Sequence, residues 1–176
     1  MYERYTQSAR RAFSFAVWHS RRRESTEIDS VDLLRGLIHD DDSRVNTVFG
    51  LREHFPMYCG CPSRFATADE VPKPASVLTN EAKRILAWTA READAIHDYW
   101  IDTEHLLLGI LREPRCQATQ FLAKTGLTLQ SVRSAALANK GSRPDYGPVS
   151  QWWALQSPWS RMISKWRMRR YRRIGE

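Results

Sequence analysis

Ile28-Asp29-Ser30-Val31-Asp32-Leu33-Leu34-Arg35-Gly36-Leu37-Ile38 and Ile101-Asp102-Thr103-Glu104-His105-Leu106-Leu107-Leu108-Gly109-Ile110-Leu111 are one pattern written twice, 73 residues apart. The same offset aligns Tyr5-Thr6-Gln7-Ser8-Ala9-Arg10-Arg11 with Leu78-Thr79-Asn80-Glu81-Ala82-Lys83-Arg84. Two separated blocks that share one offset mean a duplicated supersecondary unit. Leu33, Leu34, Leu37 and Ile38 in one copy, and Leu106, Leu107, Ile110 and Leu111 in the other, follow the i, i+1, i+4, i+5 stripe of a helix buried along one face. Gly36 and Gly109 interrupt both stripes at the same place, and a glycine inside a helix costs roughly 1 kcal/mol. Their recurrence predicts close approach of another helix.

Working outward, Thr6 and Thr79 stand where helix N-caps belong, each followed by apolar residues at helical spacing: Ala9, Ala12, Phe13, Ala16 and Val17, then Ala82, Ile85, Leu86 and Thr89. Ser30 and Thr103 are read as the caps of the shorter helices. Two more helical stretches follow in the second copy, about Cys116 to Lys124 and, past Gly126, about Leu129 to Ala138. The first copy has one matching stretch, near Arg44 to Phe49. Pro56, Gly60 and Pro62 predict that its fourth helix is short or lost, and 56–77 reads as a linker. The fold class is therefore all-α: two tandem four-helix-type repeats.

Of 27 basic and 20 acidic residues, eight and two fall after residue 140, so the body (19 against 18) is nearly neutral and six of the +7 net charge belong to the tail. No stretch approaches the roughly 20 apolar residues of a membrane span, and Met1 to Arg11 is polar instead of signal-like, which makes a cytoplasmic location the expectation. Three cysteines, an odd number, argue against a secreted disulfide framework. Cys59-Gly60-Cys61 near His54 lacks the spacing and the second ligand pair of a structural zinc site, so no metal and no cofactor are expected. No G-x-x-x-x-G-K-[ST] phosphate loop occurs in the 176 residues, which removes the backbone cradle a nucleotide motor needs. His105 and Asp32 hold equivalent positions and are read as surface or interhelical hydrogen-bonding groups. One His-Glu neighbour pair without a nucleophile is no active site, so no enzyme is expected.

Thr103 to Leu111, preceded by a capped helix beginning Leu-Thr-Asn-Glu-Ala-Lys-Arg-Ile-Leu, resembles the Clp repeat at the N-terminus of ClpA- and ClpC-type Hsp100 unfoldases. The opening Met-Tyr-Glu-Arg-Tyr-Thr with Ala9-Arg10-Arg11 is similar to the start of the ClpC N-terminal domain. The resemblance covers roughly residues 1–140, with repeat one at about 1–55 and repeat two at about 78–140, and it implies that the two repeats pack as one pseudo-two-fold bundle. It implies a stand-alone domain without ATPase modules that receives proteins: an adaptor or substrate-recognition protein whose partners are a Clp unfoldase or protease, its adaptors or substrates. It also implies a phosphoarginine site. A glutamate opening the short helix would take the guanidinium, while helix amides and a capping hydroxyl take the phosphate. The position matches Glu104 in the second repeat, with Thr79 and Thr6 as caps; the first repeat has Val31 there. The competing reading of Glu104 is a first-turn acid that complements the helix dipole.

Residues 141–156 read as a linker and 157–176 as a basic amphipathic C-terminal helix, with Ser157-Pro158 as its start and Trp159, Met162, Ile163 and Trp166 on one face. Three readings of it stand open: it folds back on the body, it is an interaction helix for a partner or a second copy, or Arg167, Arg169 and Arg170 lie on an anionic membrane or nucleic acid.

Overall fold

The computed structural model describes residues 4–39, 43–55 and 77–138. Eight α-helices lie among them: α1 (Gln7–Arg22), α2 (Ser30–His39), α3 (Arg44–Phe49), α4 (Leu51–His54), α5 (Asn80–Ala95), α6 (Thr103–Leu111), α7 (Gln117–Leu122) and α8 (Leu129–Ala138). Two two-residue strands, β1 (Glu27–Ile28) and β2 (Val77–Leu78), are the other named elements besides one 3-10 turn at Ala123–Thr125, so the fold is all-α. The fourth helix of the first half is short, four residues long. The tail and most of the segment read as a linker lie outside the described residues.

The long helices α1 and α5 start and stop alike. Thr6 accepts from the Ala9 amide at 3.2 Å and Thr79 from the Ala82 amide at 3.1 Å, each quenching one orphan donor of a first turn. At the other end Glu24 and His97, 73 residues apart, both turn left-handed, with φ 56° and 54°. The following amides, Ser25 and Asp98, then reach back to the Ser20 and Ala93 carbonyls at 2.9 and 2.8 Å, which closes each helix on its own last turn.

The short helices α2 and α6 start one residue earlier than the sequence suggests. Their caps are Asp29 and Asp102, and Ser30 and Thr103 are already inside. Asp29 Oδ1 accepts from the Asp32 amide at 2.9 Å while Asp32 Oδ2 accepts from the Asp29 amide at 3.2 Å. In α6, Asp102 Oδ1 accepts from the Thr103 amide at 2.7 Å and His105 Nδ1 accepts from the Asp102 amide at 3.0 Å. This reciprocal bonding is a capping box, with Asp32 and His105 as its returning members. Both are buried, so of the two readings, surface or hydrogen-bonding groups, the surface one is excluded.

Each short helix lies against its long one at the conserved-offset glycine. A Cβ on Gly36 would meet the Ala12 carbonyl of α1, and one on Gly109 would meet Thr89 Oγ1 and the Ile85 carbonyl of α5. The halves then interlock. The segment before α1 runs alongside the start of α6 (Tyr5 beside Ile101), and the segment before α5 pairs in parallel with the start of α2 (Leu78 beside Ile28). The offset of 73 converts one pairing into the other: the Thr6 amide donates to the Ile101 carbonyl at 2.9 Å, and the Thr79 amide to the Ile28 carbonyl at 3.1 Å. One hydrophobic cluster spans both halves, from Tyr5, Phe13 and Leu37 to Ile85, Leu107 and Ile110. Helix α6 is its axis. Every residue from Thr103 to Ile110 is buried, the apolar run Leu106 to Ile110 together with the polar first turn of Thr103, Glu104 and His105.

Candidate binding site at Glu104

Glu104 sits in the first turn of α6 and is 2% exposed. Its Oε1 lies 3.6 Å from Nη1 of Arg44, the first residue of α3, so the contact joins the first half to the second. Burial, followed by the charge of Asp102, pushes the Glu104 carboxyl up to about 7, while Arg44 pulls the other way. Near neutrality the group is therefore poised between its neutral and charged forms.

Thr6 is at this end of the molecule. Its hydroxyl donates to Asp102 Oδ1 at 2.8 Å, two residues from Glu104. Thr79 is not. It is tied through its amide to Ile28 and so stands by the start of α2, where Val31 takes the place of a glutamate. The three residues singled out in the sequence thus divide into Glu104 with Thr6 at the start of α6, and Thr79 at the start of α2. Arg44 and Asp102 complete the first group. The aspartate was visible in the repeated pattern, as Asp29 and Asp102; the arginine carried no signal, since a single basic residue opening a six-residue helix has no periodicity to betray its partner.

His105 is fully buried beside this cluster, and burial pushes it down to about 4, which keeps the imidazole neutral. Since Nδ1 accepts a backbone proton, the ring proton is assigned to Nε2, which points toward Asp98 Oδ2 at 3.7 Å. The ring is spent on the cap.

Two further polar clusters occupy offset-related places. In the second half Glu92, 0% exposed, takes Arg112 at 2.7 Å and Arg133 through two nitrogens, with Trp88 under the Arg112 guanidinium at 4.3 Å. In the first half His19 and His39 stand where Glu92 and Arg112 would be, their rings 6.0 Å apart, and Phe15 replaces Trp88 at 4.0 Å from His39. No group of three or more potential metal-binding side chains comes together among the described residues. Cys59, Cys61, Trp159, Trp166, Arg167, Arg169 and Arg170 lie outside them, while His54 ends α4 on the surface. No described helix is long and apolar enough to cross a membrane.

The architecture defines a class: an all-helical domain of two interlocked helix pairs whose short central helices begin at acidic caps, Asp29 half-buried and Asp102 fully buried. Residues 71–150 match the Clp repeat (R) N-terminal domain family. The chain is 30% identical over 145 residues to an ATP-dependent Clp protease ATP-binding subunit ClpA homolog of Guillardia theta, covering 78% of this chain and 17% of that protein. It is 29% identical over 153 residues to the chloroplastic chaperone protein ClpC of Pisum sativum, covering 82% of this chain and 16% of the relative. The chain thus spans about a sixth of the length of these relatives. Its fold matches the N-terminal domain of the Arabidopsis thaliana Clp-protease-associated chaperone ClpD, with TM-score 0.54 at 19% identity, covering 80% of this chain and 97% of that domain. Within residues 71–150 the chain therefore carries the pattern of a Clp N-terminal repeat.

Proposed function

We propose that this domain is a protein-binding module tied to Clp-type proteolysis, acting as a non-enzymatic adaptor or substrate-recognition unit. The family match over 71–150 carries the reading. The chemistry of α6 supports the non-enzymatic part: Asp102 and His105 are committed to the helix cap, and the hydroxyl of Thr6 to Asp102. The test uses the full chain, purified, with a purified ClpC-type unfoldase and its protease. Saturable binding, together with a changed rate of degradation of a model substrate, is the expected result; neither effect at tens of micromolar chain would reject the reading.

At finer grain we propose that Glu104 is the contact for a guanidinium group on the bound protein, such as a phosphorylated arginine. A buried carboxylate next to a helix N-terminus suits that ligand, because the carboxylate takes the guanidinium and the helix amides favour the phosphate. Titration of a phosphoarginine peptide should give clearly weaker binding by Glu104→Gln than by the unmodified chain, and superimposable curves would remove the claim.

A further inference from the structure

The carboxylate of Glu104 already has a guanidinium beside it. Arg44 comes from the other half of the molecule and is held by a built scaffold. Ser43, buried, caps α3 by accepting from the Asn46 amide at 3.3 Å and donates its hydroxyl to the Leu37 carbonyl at 3.3 Å, and Asn46 Nδ2 donates to the Ile38 carbonyl at 2.8 Å. These bonds fix the start of α3 against the end of α2 and leave the side chain of Arg44, 17% exposed, lying over a carboxylate that is 3% exposed.

Two comparisons within the molecule say what kind of contact this is. Arginines that serve as structural partners here sit at hydrogen-bonding distance: Arg112 is 2.7 Å from Glu92, and Arg23 is 2.6 Å from Asp32. At 3.6 Å the Arg44 pair is an ion pair outside that range, so it forgoes most of the directional energy of a bidentate fork. The second comparison is with the offset-related side, at the start of α2. The offset places Val31 and Gln117 where Glu104 and Arg44 stand, and that side keeps its helix packing with neither charge. The fold does not require the pair.

We propose that Arg44 is a resident guanidinium that occupies the Glu104 site and must swing aside before an arginine-type ligand enters, so that Arg44 sets the affinity of the site. This rests on the reading of Glu104 as a guanidinium receptor. The exchange is like for like: one guanidinium leaves the carboxylate as another arrives, and the cost is the fraction of time the site stands open. A resident present about nine-tenths of the time weakens apparent affinity roughly tenfold.

Two measurements on the full chain separate the possibilities. In the first, ethylguanidinium at millimolar concentration is added during thermal unfolding. Arg44→Ala should gain melting temperature saturably, because the small cation refills the vacated seat, whereas the unmodified chain and the Arg44→Ala/Glu104→Gln double variant should not. In the second, a phosphoarginine peptide is titrated; Arg44→Ala should bind it roughly tenfold more tightly than the unmodified chain. Arg44→Gln, which keeps a polar stem of similar length, serves both measurements if the alanine variant fails to fold. Rescue by ethylguanidinium with no peptide binding by any variant would discard the phosphoarginine reading and keep Arg44 as the resident. Equal peptide affinity with and without Arg44, lost in Glu104→Gln, would keep the receptor reading and overturn the proposal. Weaker binding by Arg44→Ala would also overturn it, since Arg44 would then be a ligand for the incoming group. No rescue and no gain in affinity would overturn it outright.

Discussion

The hydroxyl of Thr6 donates to Oδ1 of Asp102 at 2.8 Å, with both residues buried, and so the cap of α1 is fastened to the cap of α6 across the interface of the two halves. Thr79 makes the same local cap but has no such partner across the interface among the hydrogen bonds of its side chain. Thr6→Val should therefore cost more than Thr79→Val, because it takes one hydrogen bond from a buried carboxylate as well as losing a cap. The expected losses are about 2–3 kcal/mol and about 1 kcal/mol. Urea unfolding of both variants reads the difference, and equal losses would mean that the Asp102 bond contributes nothing.

Gly36→Ala and Gly109→Ala should both destabilise, against the usual gain of about 1 kcal/mol for Gly→Ala inside a helix. The new methyl at Gly36 would meet the Ala12 carbonyl and the Ala16 amide, and neither can move without shifting α1. At Gly109 it would meet Thr89 Oγ1 and the Ile85 carbonyl. Overpacking of this kind costs about 1–3 kcal/mol. At Gly109 part of that is recoverable by pairing the change with Thr89→Ala, since the nearest atom is a side-chain hydroxyl. The double variant should melt above Gly109→Ala alone; no recovery would place the clash on the backbone.

Those glycines show what the sequence made legible. A feature that repeats at a fixed offset reports the internal build of each half: the leucine stripes, the glycine contacts and the threonine caps. Leu129 to Ala138, which has no such counterpart, was legible from the stop signal at Gly126 before it. The caps of α2 and α6 were misplaced by one residue because Asp29 and Ser30, or Asp102 and Thr103, are both good capping types. What selects the aspartates is the return bond from Asp32 and His105 three residues on. Contacts between the halves were not legible. Periodicity tells which face of a helix is buried and says nothing of which distant segment covers it, so neither Thr6 against Asp102 nor Arg44 against Glu104 had a signature. The left-handed turns at Glu24 and His97 were hidden for another reason: neither position carries the glycine that usually announces one.

Glu92 gathers α5, the end of α6 and α8 through two arginines, and it is the only one of the three with no solvent exposure. Removing it leaves two guanidiniums facing an apolar gap. Removing Arg133 leaves Glu92 with Arg112. Glu92→Ala should accordingly cost about 3 kcal/mol, at the low end for a broken buried pair because both arginines reach water, and Arg133→Ala about 1–2 kcal/mol. Thermal melts of both, and of the double variant, test the arrangement. If the double variant loses the sum of the two, Glu92 and Arg133 are not coupled and the clamp is not one.

The sharpest pH dependence comes from groups whose protons the fold redistributes. Burial, followed by the neighbouring charges of His39, Arg35, Arg22 and Arg23, pushes His19 down from 6.5 to about 4, and burial pushes His105 down to about 4 as well. A histidine with a lowered folded pKa contributes stability that is present above its unfolded value and lost as the pH falls from 6.5 toward 4. Glu104 runs the other way. With its carboxyl raised from 4.5 to about 7, its contribution is fully present below 4.5 and lost as the pH rises toward 7. Between pH 4.5 and 6.5 the two histidines therefore make acid destabilising while Glu104 offsets one of them. Glu104→Gln removes the offset, so its stability should fall more steeply with acid than that of the unmodified chain, by up to about 1.4 kcal/mol per pH unit. His19→Gln should flatten the fall, by about half that figure because its ring is partly solvated. Urea midpoints at pH 7, 6 and 5 for the three proteins check both signs at once. A Glu104→Gln slope no steeper than that of the unmodified chain would mean that the buried carboxyl is fully ionised throughout, with Arg44 dominating its surroundings.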